Sequence, residues 1–257
     1  MFPRWGQPPA GAAARREGDK DIKESLNKAN KTIAWVSRNI ICKSTEVMAL
    51  IYRSLVRPHL EYAVQCWSPA PRHGNWGTIL DIEKVQRKYT RLINDIGTHS
   101  YGDRLESLKL TTLTERRMRG DLIETFKIVR GFVNYGQNMF TISSRFNIIS
   151  RVSKSSCSLR RDFLSERVIN YWNVLPNSVK LAPSVNSFKA RLEEYKRKVK
   201  ANPLNDTSVG HFWEVSDHVI GRIESPSYVA GRPLYCKYLA DNPWVAKRKQ
   251  VNRYRTI

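Results

Sequence analysis

A chain of 257 residues with 44 Lys and Arg against 23 Asp and Glu carries a formal net charge of +21 and a pI near 10.1. Its apolar content of 41%, with seven Trp, supplies enough hydrophobic surface for one or two packed domains and excludes wholesale disorder. No apolar run approaches the ~18 residues of a membrane-spanning helix, and no apolar stretch follows Arg4 as a secretory signal requires. The positive excess is spread over every segment rather than confined to a tail, so the expected partner is a polyanion, most commonly nucleic acid.

The four cysteines, Cys42, Cys66, Cys157 and Cys236, are never closer than 24 residues. That spacing excludes a C-x-x-C zinc site and is no disulfide framework. They read as small buried thiols in a reducing compartment, nuclear or cytoplasmic.

Residues 1–18 are rich in Pro, Gly, Ala and Arg without periodicity and read as a disordered lead-in. From Asp19, Ile22, Leu26, Ala29, Ile33, Val36 and Ile40 recur at helical steps. Ser44 or Thr45 caps a second helix carrying Val47, Met48, Ile51, Tyr52 and Leu55, which Pro58 ends or kinks. A loop follows at Ser68–Gly74. Thr78 to Ile96 is expected as one helix, with Ile82, Val85, Tyr89, Leu92, Ile93 and Ile96 inward. Thr112 with Glu115 three residues on is a capping box, and Gly131 or Asn134 stops the helix it opens. Residues 134–160 read as a long polar loop with a weak hairpin near Phe140–Ile142 and Phe146–Ile149. Helical spacing returns over Phe163–Leu175 and Ser184–Val199. Asn242-Pro243 starts a last helix to Tyr254. The expected fold is mainly α, divided into residues 19–133, a loop-plus-helix region 134–200, and an unassigned extension 201–257.

The aromatics Trp35, Trp67, Tyr89, Phe126, Trp172 and Phe188 sit at helical spacing and read as core, because each ring buries a large area. Trp76 stands between two glycines and reads either way. Lys84, Arg87, Lys88 and Arg91 fall at i, i+3, i+4 and i+7 with no acid between them, a pattern that suits phosphate contact better than a solvated face of mixed sign. Arg116, Arg117 and Arg119 form a second cluster, with Glu115, Asp121 and Glu124 close enough to pair with it. Lys196-Arg197-Lys198 and Lys247-Arg248-Lys249 are weaker runs. His211 and His218 lack a third and fourth ligand for zinc. No P-loop, dinucleotide turn or G-x-S-x-G elbow occurs, and no cofactor is expected.

Four stretches in order carry a resemblance. They are Leu55-Val56-Arg57-Pro58-His59-Leu60-Glu61-Tyr62 with Trp67-Ser68-Pro69; Glu83-Lys84-Val85-Gln86-Arg87; Arg116-Arg117 with Arg119-Gly120-Asp121-Leu122-Ile123 and Phe126-Lys127-Ile128; and Arg167-Val168-Ile169 with Trp172-Asn173, Leu175-Pro176 and Ala182-Pro183-Ser184, ending in Asn186-Ser187-Phe188-Lys189. Together, over roughly residues 19–198, they resemble the C-terminal part of the reverse transcriptase of non-LTR retrotransposons of the jockey and chicken-repeat clades. The resemblance implies a helical, thumb-like bundle followed by the region downstream of the thumb. It implies contact with a template–primer duplex or RNA, and it adds Arg57 to the candidate contacts Lys84, Arg87, Lys88, Arg91, Arg116, Arg117 and Arg119. The palm of such enzymes carries a Phe/Tyr-x-Asp-Asp loop for two metal ions. The ten aspartates here never stand adjacent, so no catalytic centre is expected, and any polymerase role requires a separate palm-bearing chain. The alternative expectation is a helical module that contacts proteins only.

Overall fold

Periodic apolar residues build helices nearly throughout, and the chain is mainly α in a computed structural model that describes residues 12–69, 76–135, 139–149, 162–201 and 220–221. Helix α1 (Ala12–Asn39) opens well before Asp19. The run Ala12-Ala13-Ala14-Arg15-Arg16-Glu17 consists of strong helix formers, so the expected lead-in is already helical from Ala12. Ile22, Ala29, Ile33 and Val36 are buried as their spacing predicts. Trp35 is a correction: it lies one position off that line and is 51% exposed. Cys42 and Cys66 are also exposed rather than buried, whereas Cys157 and Cys236 lie outside the described residues.

Helix α2 (Thr45–Ile51) runs into a π-helical turn, Tyr52–Val56, and then α3 (Arg57–Glu61). Pro58 cannot donate a hydrogen bond to the preceding turn, and the winding loosens ahead of it. The looser winding keeps Met48, Tyr52, Val56 and Leu60, each four residues apart, on one buried line. Val47 and Leu55, expected inward, are rotated into solvent with Leu50. Ala63, at a left-handed φ of 50°, turns the chain into α4 (Val64–Trp67).

Helix α5 is Trp76–Thr90, shorter at its C-terminal end than expected. Beyond Thr90 the chain folds back so tightly that a Cβ at Gly97 would lie 2.7 Å from the carbonyl oxygens of Arg91 and Ile93, so only glycine fits there. Ser100 caps α6 (Tyr101–Ser107) by accepting the Asp103 N–H. Thr112 caps α7 (Leu113–Val129) by accepting the Glu115 N–H at 3.2 Å, as the capping-box spacing predicts. Gly131, at φ 70°, closes α7. Its N–H reaches the Ile128 carbonyl, the Phe132 N–H reaches that of Lys127, and the Phe132 ring stacks 5.7 Å from Phe126.

Helix α7 joins two cores. Its first residue, Leu113, belongs to a core of Ala29, Ile33, Val36, Met48, Tyr52, Ile79, Ile82, Tyr89 and Leu105. From Met118 on it belongs to a second core with Leu164, Val168, Trp172, Phe188 and Leu192. In the second core Phe126 stacks on Phe188 with centroids 4.3 Å apart. The expected hairpin is present as β1 (Thr141–Ile142) and β2 (Ile148–Ile149), paired antiparallel. The Asn173 side chain braces it like a third strand, accepting the Ile148 N–H at 2.8 Å and donating to the Ile148 carbonyl at 3.0 Å. Asn173 lies in α9 (Ile169–Val174), between α8 (Leu164–Arg167) and α10 (Asn177–Lys180), and α11 (Val185–Ala201) packs against α7. Of the extension after Ala201, only Ile220 and Gly221 are described, and Ile220 packs on the first core beside Gly102. His211, His218, the run Lys247–Lys249 and the helix from Asn242 lie outside the described residues.

Candidate nucleic-acid interface

Helix α5 is buried on most of its circumference: Ile79, Leu80, Ile82, Glu83, Val85, Gln86, Tyr89 and Thr90 all face inward. What it shows to solvent is a narrow stripe. Lys84 and Lys88 lie on it, Arg91 continues it just past the helix end, and Arg87 is half-buried at its edge. The stripe is less purely cationic than its sequence predicts. Asp81 occupies the turn before Lys84 and pairs with it at 2.8 Å. Across the seam with α1, the Asn30 amide oxygen accepts from Lys88 at 3.5 Å. These cations stand on a helix whose backbone is held by core packing, so presenting them to an anion costs little ordering entropy.

The second arginine cluster separates into three environments. Arg117 is a correction: at 3% exposure it lies inside, against Thr114 and near Glu83 and Asp121, and cannot reach a phosphate in the folded chain. Arg119 is half-exposed and paired to Glu193 of α11. Arg116 reaches sideways to Glu61 through two donors, Nε and Nη2, the latter at 3.2 Å. Arg57 approaches the same carboxylate at 3.7 Å. The hydrogen bond to Glu61 holds the Arg116 guanidinium above its usual range, whereas burial, then Arg116 alongside, pulls Arg57 below it. In α11, Lys196 pairs with Glu115 and Lys198 with Glu194.

A polar seam inside the fold escaped the sequence reading. Glu83 is fully buried on α5. It accepts the Tyr101 hydroxyl at 2.6 Å and the backbone N–H of Leu113 at 3.0 Å. Gln86 accepts the Tyr52 hydroxyl and donates to the Tyr101 oxygen at 2.9 Å and to the Thr111 carbonyl at 3.1 Å. Desolvation pushes the Glu83 carboxyl up to about 7 despite these donors, and Tyr52 and Tyr101 are also raised by burial. On the far side of Arg117, Asp121 takes two bonds from Arg167, each 2.8 Å. The spacing of Glu83, Gln86 and Thr90 on the same side as Ile79 and Ile82 was the available signal: a polar line through an apolar face.

The seam is enclosed and hydrogen-bonded, whereas the stripe on α5 faces solvent. Among the described residues no group of three or more His, Cys, Asp or Glu is placed to hold a metal ion, and no helix is long and apolar enough to cross a membrane. No family model, curated protein or solved structure matches the chain.

Proposed function

We propose that this chain is a non-catalytic, thumb-and-downstream region of a non-LTR retrotransposon reverse transcriptase that binds nucleic acid, as template–primer duplex or RNA, without sequence preference. The observation that carries the reading is the exposed trio Lys84, Lys88 and Arg91 along and just past a helix that is buried on most of its circumference. Lysine and arginine side chains on such a surface contact phosphates and so position a nucleic acid without specifying its sequence. The net charge of +21 adds long-range attraction. The order of the four matched stretches supports the family assignment, and a separate palm-bearing polymerase chain is then the natural protein partner. Fluorescence anisotropy with labelled RNA–DNA hybrids of unrelated sequence tests the reading. Affinities within a few-fold of one another are expected, with no primer extension by the purified chain in Mg²⁺. Strong preference for one sequence, or template-dependent extension, contradicts it.

One observation favours a second reading. Val47, Leu50 and Leu55 are exposed together along α2 and the π-helical turn, as suits a module that contacts protein. Under that reading Leu50→Asp abolishes partner capture while nucleic-acid binding is absent from the start.

A further inference from the structure

Arg57 and Arg116 converge on the single carboxylate of Glu61, with Arg53 close enough to act on Arg57. Arg53 and Arg57 lie one turn apart across the π-helical turn and α3, and Arg116 comes from α7 on the other side of Glu61. The group carries three positive charges against one negative. Burial, then Arg116 and more weakly Arg53, pull the Arg57 guanidinium down, against the opposing pull of Glu61. Glu61 engages Nε and Nη2 of Arg116, Arg53 donates through Nη2 to the Leu108 carbonyl at 2.8 Å, and each guanidinium has further N–H groups beyond these bonds. The Glu61, Arg57 and Arg116 side chains are 27%, 22% and 35% exposed, sheltered enough to strengthen a charge interaction yet open to an incoming ion.

We propose that Arg57 and Arg116 form a phosphate-binding site in which Glu61 occupies the anion's place, with Arg53 adding positive charge beside it. A phosphate group offers the pairs of oxygens that guanidinium forks match, and as the free dianion it also brings more negative charge to the cluster than one carboxylate does. On binding, the phosphate displaces Glu61 from Arg116 and relieves the repulsion among the three arginines. The site lies apart from the α5 stripe and does not depend on it. The phosphate belongs either to a free ion or to a phosphodiester, and the two are separable.

Titration calorimetry of the full chain with inorganic phosphate, at constant ionic strength set by chloride, tests the site. Glu61→Gln is the telling variant, because it removes the competitor while keeping a hydrogen-bonding side chain of the same shape. It is expected to bind phosphate at least about threefold more tightly, and Arg57→Gln with Arg116→Gln about tenfold or more weakly, the loss of one charge-assisted bond's worth of affinity. Lys28→Gln, on the exposed side of α1, is expected to bind as the wild type does. Circular dichroism checks folding, and Arg57→Gln alone substitutes where the double variant unfolds. Competition between phosphate and a labelled oligothymidylate, abolished in Arg57→Gln, assigns the site to a phosphodiester; phosphate binding without competition assigns it to the free ion. Equal phosphate affinity in wild type and the arginine variants, or a folded Glu61→Gln that binds no more tightly, overturns the proposal. The α5 cations are untouched in every variant, so that outcome leaves the α5 reading standing.

Discussion

The carboxylate of Glu83, midway along α5, accepts the backbone N–H of Leu113, the first residue of α7, at 3.0 Å. A buried carboxyl oxygen therefore sits at the positive end of another helix, where it satisfies a donor that the helix itself leaves over. The same carboxylate takes the Tyr101 hydroxyl, and Arg117 stands near it. One side chain thus fixes the relative placement of α5, α6 and α7.

Removing that side chain strands the donors around it. Glu83→Ala is expected to lower stability by roughly 3–5 kcal/mol, because it leaves Arg117 buried without its counter-charge and the Leu113 N–H without an acceptor. Glu83→Gln is expected to cost much less, since the amide oxygen still accepts from Leu113. The pH dependence separates the two effects. The folded-state carboxyl titrates near 7, above its ordinary 4.5, so the native state holds the proton more tightly than the unfolded chain. Its contribution to stability is full below about 4.5, declines as pH rises towards 7 and is level above, by up to roughly 3 kcal/mol in total. Urea unfolding between pH 4.5 and 8 measures this. The decline is expected in the wild type and is flattened in Glu83→Gln; identical profiles for the two count against the assignment.

Arg167 ties the second core to the first. Besides its two bonds to Asp121, it donates to the carbonyls of Gln65 at 3.1 Å and Val64 at 3.3 Å in α4. Arg167→Ala is expected to cost about 3–5 kcal/mol, as does breaking other buried ion pairs from one side. Arg167→Lys should rescue little, because an ammonium cannot reproduce the fork that holds Asp121 and the α4 carbonyls at once. Denaturant melts of both variants, monitored by Trp fluorescence, give the comparison. A lysine variant as stable as wild type would show that charge alone suffices.

Two helix ends share one geometry with different residues. Lys109 closes α6 at φ 50° and Gly131 closes α7 at φ 70°. At Lys109 the N–H bonds the Glu106 carbonyl and the next N–H bonds that of Leu105, repeating the pattern after α7. Lys109→Gly is therefore expected to raise stability by about 0.5–1 kcal/mol and Gly131→Ala to lower it by a similar amount, through the left-handed backbone each position requires. Opposite shifts in Tm confirm the pairing; shifts of the same sign do not.

The faces that pack were largely legible in the sequence, because burial of apolar area follows helical period: Ile22, Ala29, Ile33 and Val36 on α1 are the plain case. The hairpin near Thr141 and the caps at Thr112 and Gly131 were legible too, since capping and turn chemistry are local, whereas Ser44 stands at the start of α2 without a side-chain capping bond. Reading failed where the geometry depends on distant chain. The π-helical turn at Tyr52–Val56 changes the winding, so Leu55 leaves the face that a regular helix would give it. Arg117 looked like a surface cation beside Arg116 and Arg119, but its counter-charges, Glu83 from α5 and its own helix neighbour Asp121, draw it inward. The cationic stripe was visible as a spacing, and its tempering by Asp81 was within reach of the same spacing.

The most direct test of nucleic-acid binding through α5 is a salt titration of the wild type and the Lys84→Gln/Lys88→Gln/Arg91→Gln variant on one RNA–DNA duplex. Gln is nearly as good a helix former as Lys or Arg, so α5 is expected to remain folded, which circular dichroism verifies. Each phosphate contact contributes roughly −0.9 to the slope of log K against log salt for a B-form duplex, so the variant's slope is expected to be flatter by about 2–3 units. If Lys84 stays with Asp81, the change lies at the lower end of that range. A folded variant with the wild-type slope contradicts the assignment of this helix as the nucleic-acid surface.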